Sequence, residues 1–326
     1  MRKSKRDREL ERAAEIATTL LCMVHTVEIS ADNIIDTQQY PYITSGALRH
    51  RNSERYKYRI NIAKAGENPF RIEGVNAAIQ KAITETGMKN PKVTRIDYAI
   101  DIRECVEPER DYNSLYKINR IVLSMLAIRE GVKNVWDSEH GIFGDKLSFK
   151  IEKTGIAAEY YNKPMEEWSN DRKSSGTMGR FECRATDLQS SHAPIDRIVS
   201  AELLLWQTRL TDLLEPRGEL FTHLCEYMND YLIEQYQREQ GNGNKKRWAS
   251  FNEFLAAKGD RIFTRRQLKD LYKRMGYEDP ERQASRFKNA HKGIYFYSLR
   301  QIRQHIMDMW GALEIFTLNI HDIEWV

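Results

Sequence analysis

The chain has 326 residues, of which 41% are hydrophobic and 30% are charged, and its formal net charge is +4. This length is ample for two domains, and this composition is typical of a globular protein with a charged surface. No run of about 18 apolar residues is present, so neither a transmembrane helix nor a membrane partner is predicted.

The N-terminus and the cysteines indicate a cytoplasmic protein. The basic start at Met1–Glu9 is followed by mixed charge and lacks the apolar core of a secretory signal. The four cysteines (Cys22, Cys105, Cys183 and Cys225) form no Cys-x-x-Cys pair and have no histidine at ligand spacing. A zinc site and a disulfide framework are therefore not predicted.

The positive charge is concentrated in one segment. Residues 241–300 hold fifteen Lys or Arg and six Asp or Glu, an excess of +9, whereas residues 1–240 are close to neutral. Such an asymmetry indicates that this segment binds a polyanion, and DNA is the partner that we predict.

The first 190 residues alternate strand and helix patterns. A mixed-charge helix is predicted over 7–21, then strands over 23–30 and 56–63 with a loop over 36–53 between them. Further helices are predicted over 73–87 and 113–130, and further strands over 92–103, 147–151, 156–161 and 178–186. We predict an α+β domain over 1–190, with a mainly antiparallel sheet and helices on one face.

The strand around Asp97 has two different faces. Because side chains alternate along a strand, Arg95, Asp97 and Asp101 lie on one face, opposite an apolar face that includes Ile96 and Ile100. A single charged face is equally typical of a solvated antiparallel sheet. Two later strands repeat the design, with Glu159, Tyr161 and Lys163 on one and Arg180, Glu182 and Arg184 on the other.

This mixture of side chains suits phosphoryl chemistry if the three faces align. Carboxylates are hard ligands for Mg²⁺ or Mn²⁺, and a tyrosine can act as a covalent nucleophile. Arginines can clamp a phosphate and stabilise the charge that develops on it.

The remainder of the chain is predicted to be helical. Residues 191–240 form a helical connector interrupted near Pro216, and 241–246 form a flexible boundary. Over 245–326 we predict a basic winged helix-turn-helix-like domain, in which capping boxes at Ser250 and Thr264 start two helices and Asp279 starts a third. Ile294–Tyr297 can form the strand or wing.

Polar side chains of this domain are candidates for contacts with phosphates and base edges. A small helical module with a solvated basic face is the alternative. The predicted DNA-binding residues are Arg265, Arg266, Arg282, Gln283, Arg286, Lys288, Asn289 and Lys292.

Three short motifs resemble a known family. Thr94–Asp101 (TRIDYAID), Tyr161-Asn162-Lys163 and Arg180–Arg184 (RFECR), in this order, resemble the Rep-trans family of rolling-circle replication initiators. The gene-II-type nicking proteins of filamentous phage are similar in the same places. The chain has no His-x-His pair, so the histidine-metal nickases are not matched, and we interpret its eight histidines as structural or surface residues.

The resemblance implies a role for each motif residue. Tyr161 would be the nucleophile that nicks DNA, and Asp97, Glu182 and Asp101 would serve a Mg²⁺ or Mn²⁺ site. Four basic residues would bind or polarise the phosphate: Arg95, Lys163, Arg180 and Arg184. By alternation, Tyr160 faces the core.

These inferences predict an enzyme that nicks and rejoins one strand of plasmid or phage origin DNA through a 5′-phosphotyrosine. Double-stranded and single-stranded origin DNA would be its partners, with a host helicase and polymerase as further candidates and a homodimer as a candidate assembly. The alternatives are a non-catalytic winged-helix initiator or repressor, a conjugative relaxase, and a structural protein without DNA affinity.

Overall fold

The protein is built around one antiparallel sheet. A computed structural model describes residues 20–46, 55–103, 112–132, 148–153, 156–169, 177–186, 195–215, 217–240 and 247–318. Within these ranges seven strands pair in the order β2-β3-β1-β4-β7-β6-β5. The strands are β1 (Leu20–Ala31), β2 (Ile43–Gly46), β3 (Tyr56–Asn61), β4 (Lys92–Arg103), β5 (Ser148–Lys153), β6 (Ile156–Asn162) and β7 (Thr177–Thr186). The predicted α+β class is confirmed.

Two predictions near the N-terminus, of a helix and of a loop, were wrong where the chain forms strands. Leu20 and Leu21, predicted as the end of a helix, begin β1, and the rest of that predicted helix lies outside the described residues. β2 lies in the predicted 36–53 loop, where its four residues are too few to show an alternating pattern. It is held as the edge strand by pairing with β3.

The helices cover the apolar face of the sheet. They are α1 (Ile72–Thr86), α2 (Tyr112–Arg129), α3 (Lys163–Ser169), α4 (Ile195–Asp212), α5 (Glu219–Gln240), α6 (Phe251–Ala257), α7 (Arg265–Arg274), α8 (Pro280–Ala290) and α9 (Leu299–Leu318). α2 contacts β5, β6 and β7, and α9 contacts β1 and β4. Apolar side chains of the strands and helices form one buried core. No helix in the described ranges is long and apolar enough to cross a membrane.

The C-terminal helices start where the sequence predicts. The side chains of Ser250, Thr264 and Asp279 accept hydrogen bonds from the backbone three residues later and cap α6, α7 and α8. Each cap satisfies an amide that lacks an intrahelical partner. The predicted 241–246 boundary lies outside the described residues.

The segment Ile294–Tyr297, predicted as a strand or wing, forms no strand. Its contacts are to other segments: the amide of Tyr297 donates to the carbonyl of Phe263, the Tyr297 hydroxyl donates to the carbonyl of Ser114, and the carbonyl of Tyr295 accepts from the Lys117 side chain. The chain then enters α9, which returns to the sheet and packs against α4, β1 and α2.

A buried lysine joins the sheet layer to the C-terminal helices. Lys117 on α2 is 4% exposed, and its Nζ donates to the carbonyl oxygens of Gly259, Ile262 and Tyr295 over 2.5 to 2.9 Å. These carbonyls flank the α7–α8 pair on both sides. These three hydrogen bonds, the Lys117 clamp, therefore hold the segments before α7 and after α8 against α2.

Replacing Lys117 tests this clamp. Lys117→Met leaves three buried carbonyls without their donor, and we expect it to lower the free energy of unfolding by about 2–3 kcal/mol. Urea unfolding at pH 6 is the suitable measurement, since burial lowers the pKa of Lys117 to about 7 and the amine is then charged. The exposed Lys273→Met is the control. Equal stability of wild type and Lys117→Met would contradict the role of the clamp.

Candidate functional site

The three motif strands lie side by side with their polar faces aligned. In the register of β4 and β7, Asp97 lies opposite Arg184 and Asp101 lies opposite Arg180. In the register of β7 and β6, Arg180 lies opposite Tyr161. The sequence motifs are therefore brought onto one face, as alternation predicts.

One row across this face holds Asp101, Arg180 and Tyr161. The Arg180 Nε and Nη2 atoms donate to the two carboxylate oxygens of Asp101 over 2.5 and 2.8 Å. All three residues are buried. The guanidinium of Arg180 is therefore fixed on one side by Asp101 and lies next to Tyr161 on the other.

The Tyr161 hydroxyl is bound to a carboxylate. It donates to Oε1 of Glu182 over 2.7 Å, while Arg184 donates from Nη2 to Oε2 of Glu182 over 2.9 Å. The Nζ of Lys163 lies 5.9 Å from the centre of the Tyr161 ring and also pairs with Glu166. Tyr161 is only 7% exposed, so the hydroxyl is held inside the site.

Burial and charge set the protonation of this pair. Burial, followed by the charge of Glu182, raises the pKa of Tyr161 well above its ordinary value. Burial alone would raise the pKa of Glu182 too, but the positive charges around it, Arg184 foremost, hold it below the ordinary value. At neutral pH the pair is therefore a neutral phenol that donates to an ionised carboxylate, which is the arrangement of a nucleophile with its proton acceptor.

The predicted metal ligands are bound by arginines. Both oxygens of Asp97 accept from Arg95 over 2.6 Å, as both oxygens of Asp101 accept from Arg180. Among the described residues, no group of three or more His, Cys, Asp or Glu side chains is placed to hold a metal ion. As they stand, these carboxylates do not fit a site for Mg²⁺ or Mn²⁺, which prefer several free oxygen ligands.

His25 belongs to the surroundings of the site, although we predicted the histidines to be structural or at the surface. It lies at a β-bulge, where the pairing of β1 with β4 shifts between Val24 and Thr26. Burial and then the charge of Arg180 lower its pKa to about 4, so its ring is neutral at pH 7. No sequence signal marks it, because a bulge is not visible in a pattern of alternation.

Tyr160, the neighbour of Tyr161, points into the core as predicted. It is fully buried, and its ring centre lies 6.2 Å from that of Tyr116 on α2. A Cβ at Gly179 would come within 2.2 Å of the Tyr160 hydroxyl, so this position on β7 accepts only glycine without movement of the ring. Tyr160 is therefore separated from the polar face by the sheet itself.

The predicted DNA-binding residues differ in how they are placed. Arg265 donates to Glu281 and Ser285, and Gln283 is half-buried. Four exposed basic residues on or just after α8 form no ion pair with another described residue: Arg282, Arg286, Lys288 and Lys292. Arg266 and Asn289 are also exposed.

A comparison with solved structures gives weak similarity. No known protein family matches the chain by its sequence profile, and no curated protein matches it. Among solved structures, the rolling circle replication initiator protein from Geobacillus stearothermophilus is similar over 74% of this chain and 96% of that chain, with 13% identity and a TM-score of 0.22. A similarity of this size does not define the family of the chain.

The pairing of Glu182 predicts a dependence of stability on pH. Because the folded pKa lies below the ordinary value of 4.5, the carboxylate stabilises the fold above that pH and ceases to do so as the pH falls through the folded pKa. We expect Glu182→Gln to lower the free energy of unfolding by about 3 kcal/mol at pH 7, and the difference from wild type to shrink below pH 4.5.

Urea unfolding at pH 7 and pH 4 measures both differences. Glu234→Gln, on an exposed position of α5, is the control and should change stability by less than about 0.5 kcal/mol. A Glu182→Gln deficit that is equally large at both pH values would show that the charge of this carboxylate is not what stabilises the fold.

Proposed function

We propose that this protein is a rolling-circle replication initiator that nicks and rejoins one strand of origin DNA. The hydrogen bond from the Tyr161 hydroxyl to Glu182, with Arg180 opposite Tyr161 on the neighbouring strand, is the observation that carries the proposal. A tyrosine donating to an ionised carboxylate beside a fixed guanidinium has the three parts that attack on a phosphodiester requires: a nucleophile, a base and a cation.

The proposed step is a transfer of the phosphoryl group to tyrosine. The Tyr161 oxygen forms a bond to phosphorus as its proton passes to Glu182, and the bond from phosphorus to the 3′ oxygen breaks. The leaving oxygen takes up a proton to give a free 3′-OH, and the DNA end remains as a 5′-phosphotyrosine. The reverse sequence rejoins the strand, since the covalent link conserves the energy of the phosphodiester.

Positive charge on the same face suits the substrate. The nonbridging oxygens of a phosphodiester carry a negative charge that grows as the nucleophile attacks. Arg180 and Arg184 lie on the strand next to Tyr161, and Lys163 lies one residue beyond the strand end. In a buried site these charges act with little screening by solvent.

A Mg²⁺ or Mn²⁺ ion is also part of the proposal, on the strength of the resemblance alone. When bound, such an ion would polarise the phosphate. Because the carboxylates of Asp97 and Asp101 are both bonded to arginines, no step above depends on the ion. The nicking assay with Mn²⁺ and with EDTA tests this part separately.

The exposed basic side chains around α8 are proposed to bind the origin duplex. Arg282 and Arg286 lie one turn apart on α8, and Lys288 follows. Cations without a protein partner are free to replace counterions along a DNA backbone. A host helicase, a polymerase and a second subunit are further proposed partners.

Substitution of Tyr161 tests the nucleophile. Tyr161→Phe removes one oxygen, and we expect it to abolish both the nicking of supercoiled origin plasmid and the covalent protein–DNA adduct in the presence of Mn²⁺. Tyr160→Phe is the matched control, because it removes the hydroxyl of a tyrosine one residue away that faces the core. Tyr160→Phe should nick like wild type.

Two outcomes would contradict the nickase proposal. If Tyr161→Phe nicks at the wild-type rate, the nucleophile is wrong. If wild type forms no adduct with any plasmid or phage origin but binds origin DNA in EDTA, the protein is a non-catalytic initiator or repressor.

The salt dependence of duplex binding tests the α8 residues. Arg286→Gln should reduce the slope of log affinity against log salt by about 0.9, the contribution of one phosphate contact. We expect Arg265→Gln to change it less, because Arg265 is already bonded to Glu281. Lys89→Gln, an exposed lysine in the turn after α1, is the control. Equal slopes for Arg286→Gln and Lys89→Gln would place the duplex elsewhere.

A further inference from the structure

Three guanidinium groups on the polar face are each fixed by a carboxylate and retain unused donors. Arg95 and Arg180 bind their carboxylates through Nε and Nη2, and Nη1 of each makes no hydrogen bond with a described residue. Arg184 uses Nη2 for Glu182 and Glu159. Its Nε is buried without an acceptor.

The Nε of Arg184 is a buried donor without an acceptor, which is unfavourable. A buried N–H group without a hydrogen bond costs about 1–3 kcal/mol, so most such groups in proteins are satisfied. Arg184 lies opposite Asp97 in the register of β4 and β7, and Arg180 lies on the same face of β7 four residues away. The three arginines therefore follow one another along the polar face, with Arg180 in the row of Tyr161, Arg184 four residues from that row and Arg95 six residues from it.

Each oxygen of the two aspartates beneath them already accepts a hydrogen bond. Both oxygens of Asp97 and both oxygens of Asp101 accept hydrogen bonds from one arginine each. The side chain of Asp97 is 6% exposed and that of its partner Arg95 is 20% exposed, whereas Asp101 and its partner Arg180 are both 7% exposed. The cation thus lies nearer to the solvent in the first pair, and in the second pair both groups are buried in the row of Tyr161.

We propose that Asp97 and Asp101 are positioning residues, which hold Arg95 and Arg180 for different phosphates of one DNA strand lying along the polar face, and are not metal ligands in the DNA-free protein. Bidentate pairing fixes a guanidinium in its plane and leaves its outer edge for a second acceptor. The inference rests on the proposed function for its ligand, a DNA strand, but not for its test, which requires no nicking.

Binding of a single-stranded oligonucleotide in EDTA distinguishes the two roles. Asp101→Asn removes a negative charge, so an effect of charge alone would strengthen binding of DNA. If Asp101 positions Arg180, we expect binding about tenfold weaker instead, the loss of one charge-assisted hydrogen bond. The measurement is made in a Tyr161→Phe background, which keeps the strand uncut.

Glu28→Gln is the matched control. Glu28 lies on the same face, opposite Arg95, but it pairs with Lys57 and Arg59 and not with Arg95, and its row does not contain Tyr161. This substitution removes the same charge and should leave binding equal or stronger. Asp97→Asn is the second variant, which decides the question if Asp101→Asn does not fold, and thermal unfolding identifies that case.

Electron paramagnetic resonance of Mn²⁺ added to the DNA-free protein gives an independent readout. We expect wild type and Asp101→Asn to leave the same fraction of Mn²⁺ free. Binding of DNA by Asp101→Asn that is equal to or stronger than that of the background protein would overturn the inference. So would Mn²⁺ bound by wild type and released by Asp101→Asn. A wild type that binds the strand but never nicks it would defeat the proposed function alone.

Discussion

A carboxylate buried on the face of a sheet needs a cation within hydrogen-bonding distance, because an unpaired buried charge costs several kcal/mol. The polar face of this sheet meets that constraint across strands and along them. Asp101 is paired with Arg180 on the next strand, and Asp97 with Arg95 two residues earlier on its own strand. A shift of register by one residue would turn every one of these groups into the apolar core, so the pairing also fixes the register.

The apolar face of the sheet connects the site to the rest of the protein. Tyr160 precedes Tyr161 in β6, and its ring contacts that of Tyr116 on α2. Lys117 is the next residue of that helix. Lys117 in turn holds the segments on both sides of the α7–α8 pair. The proposed nucleophile and the proposed duplex-binding helix are thus connected through α2, which also bonds to these segments through Arg120 and Ser114, so their separation is set by side-chain packing.

Alternation and capping were enough to predict much of this arrangement. The polar faces of β4, β6 and β7, the inward direction of Tyr160 and the starts of α6, α7 and α8 follow from local rules that act over two to four residues. Features decided by distant partners were not visible. β2 exists because β3 offers an edge, the 294–297 segment is held by Phe263 and Lys117, and His25 reaches the site through a bulge. The partner of each carboxylate likewise depends on geometry, since several arginines are equally close in the sequence pattern.

The pairing with Glu182 explains why the buried Tyr161, the proposed nucleophile, stays protonated without its substrate. Without DNA, the Tyr161 pKa is raised by burial and by the charge of Glu182, so the phenol stays neutral and unreactive. A phosphodiester entering the site would meet the unused Nη1 of Arg180 and the orphaned Nε of Arg184. Once those donors bind the phosphate, Glu182, which already accepts a hydrogen bond from the Tyr161 hydroxyl, would take the proton of the proposed nucleophile as it attacks. Because the arginines hold the pKa of Glu182 below its ordinary value, the proposed proton transfer would accompany formation of the bond to phosphorus, which makes the phenolic proton acidic.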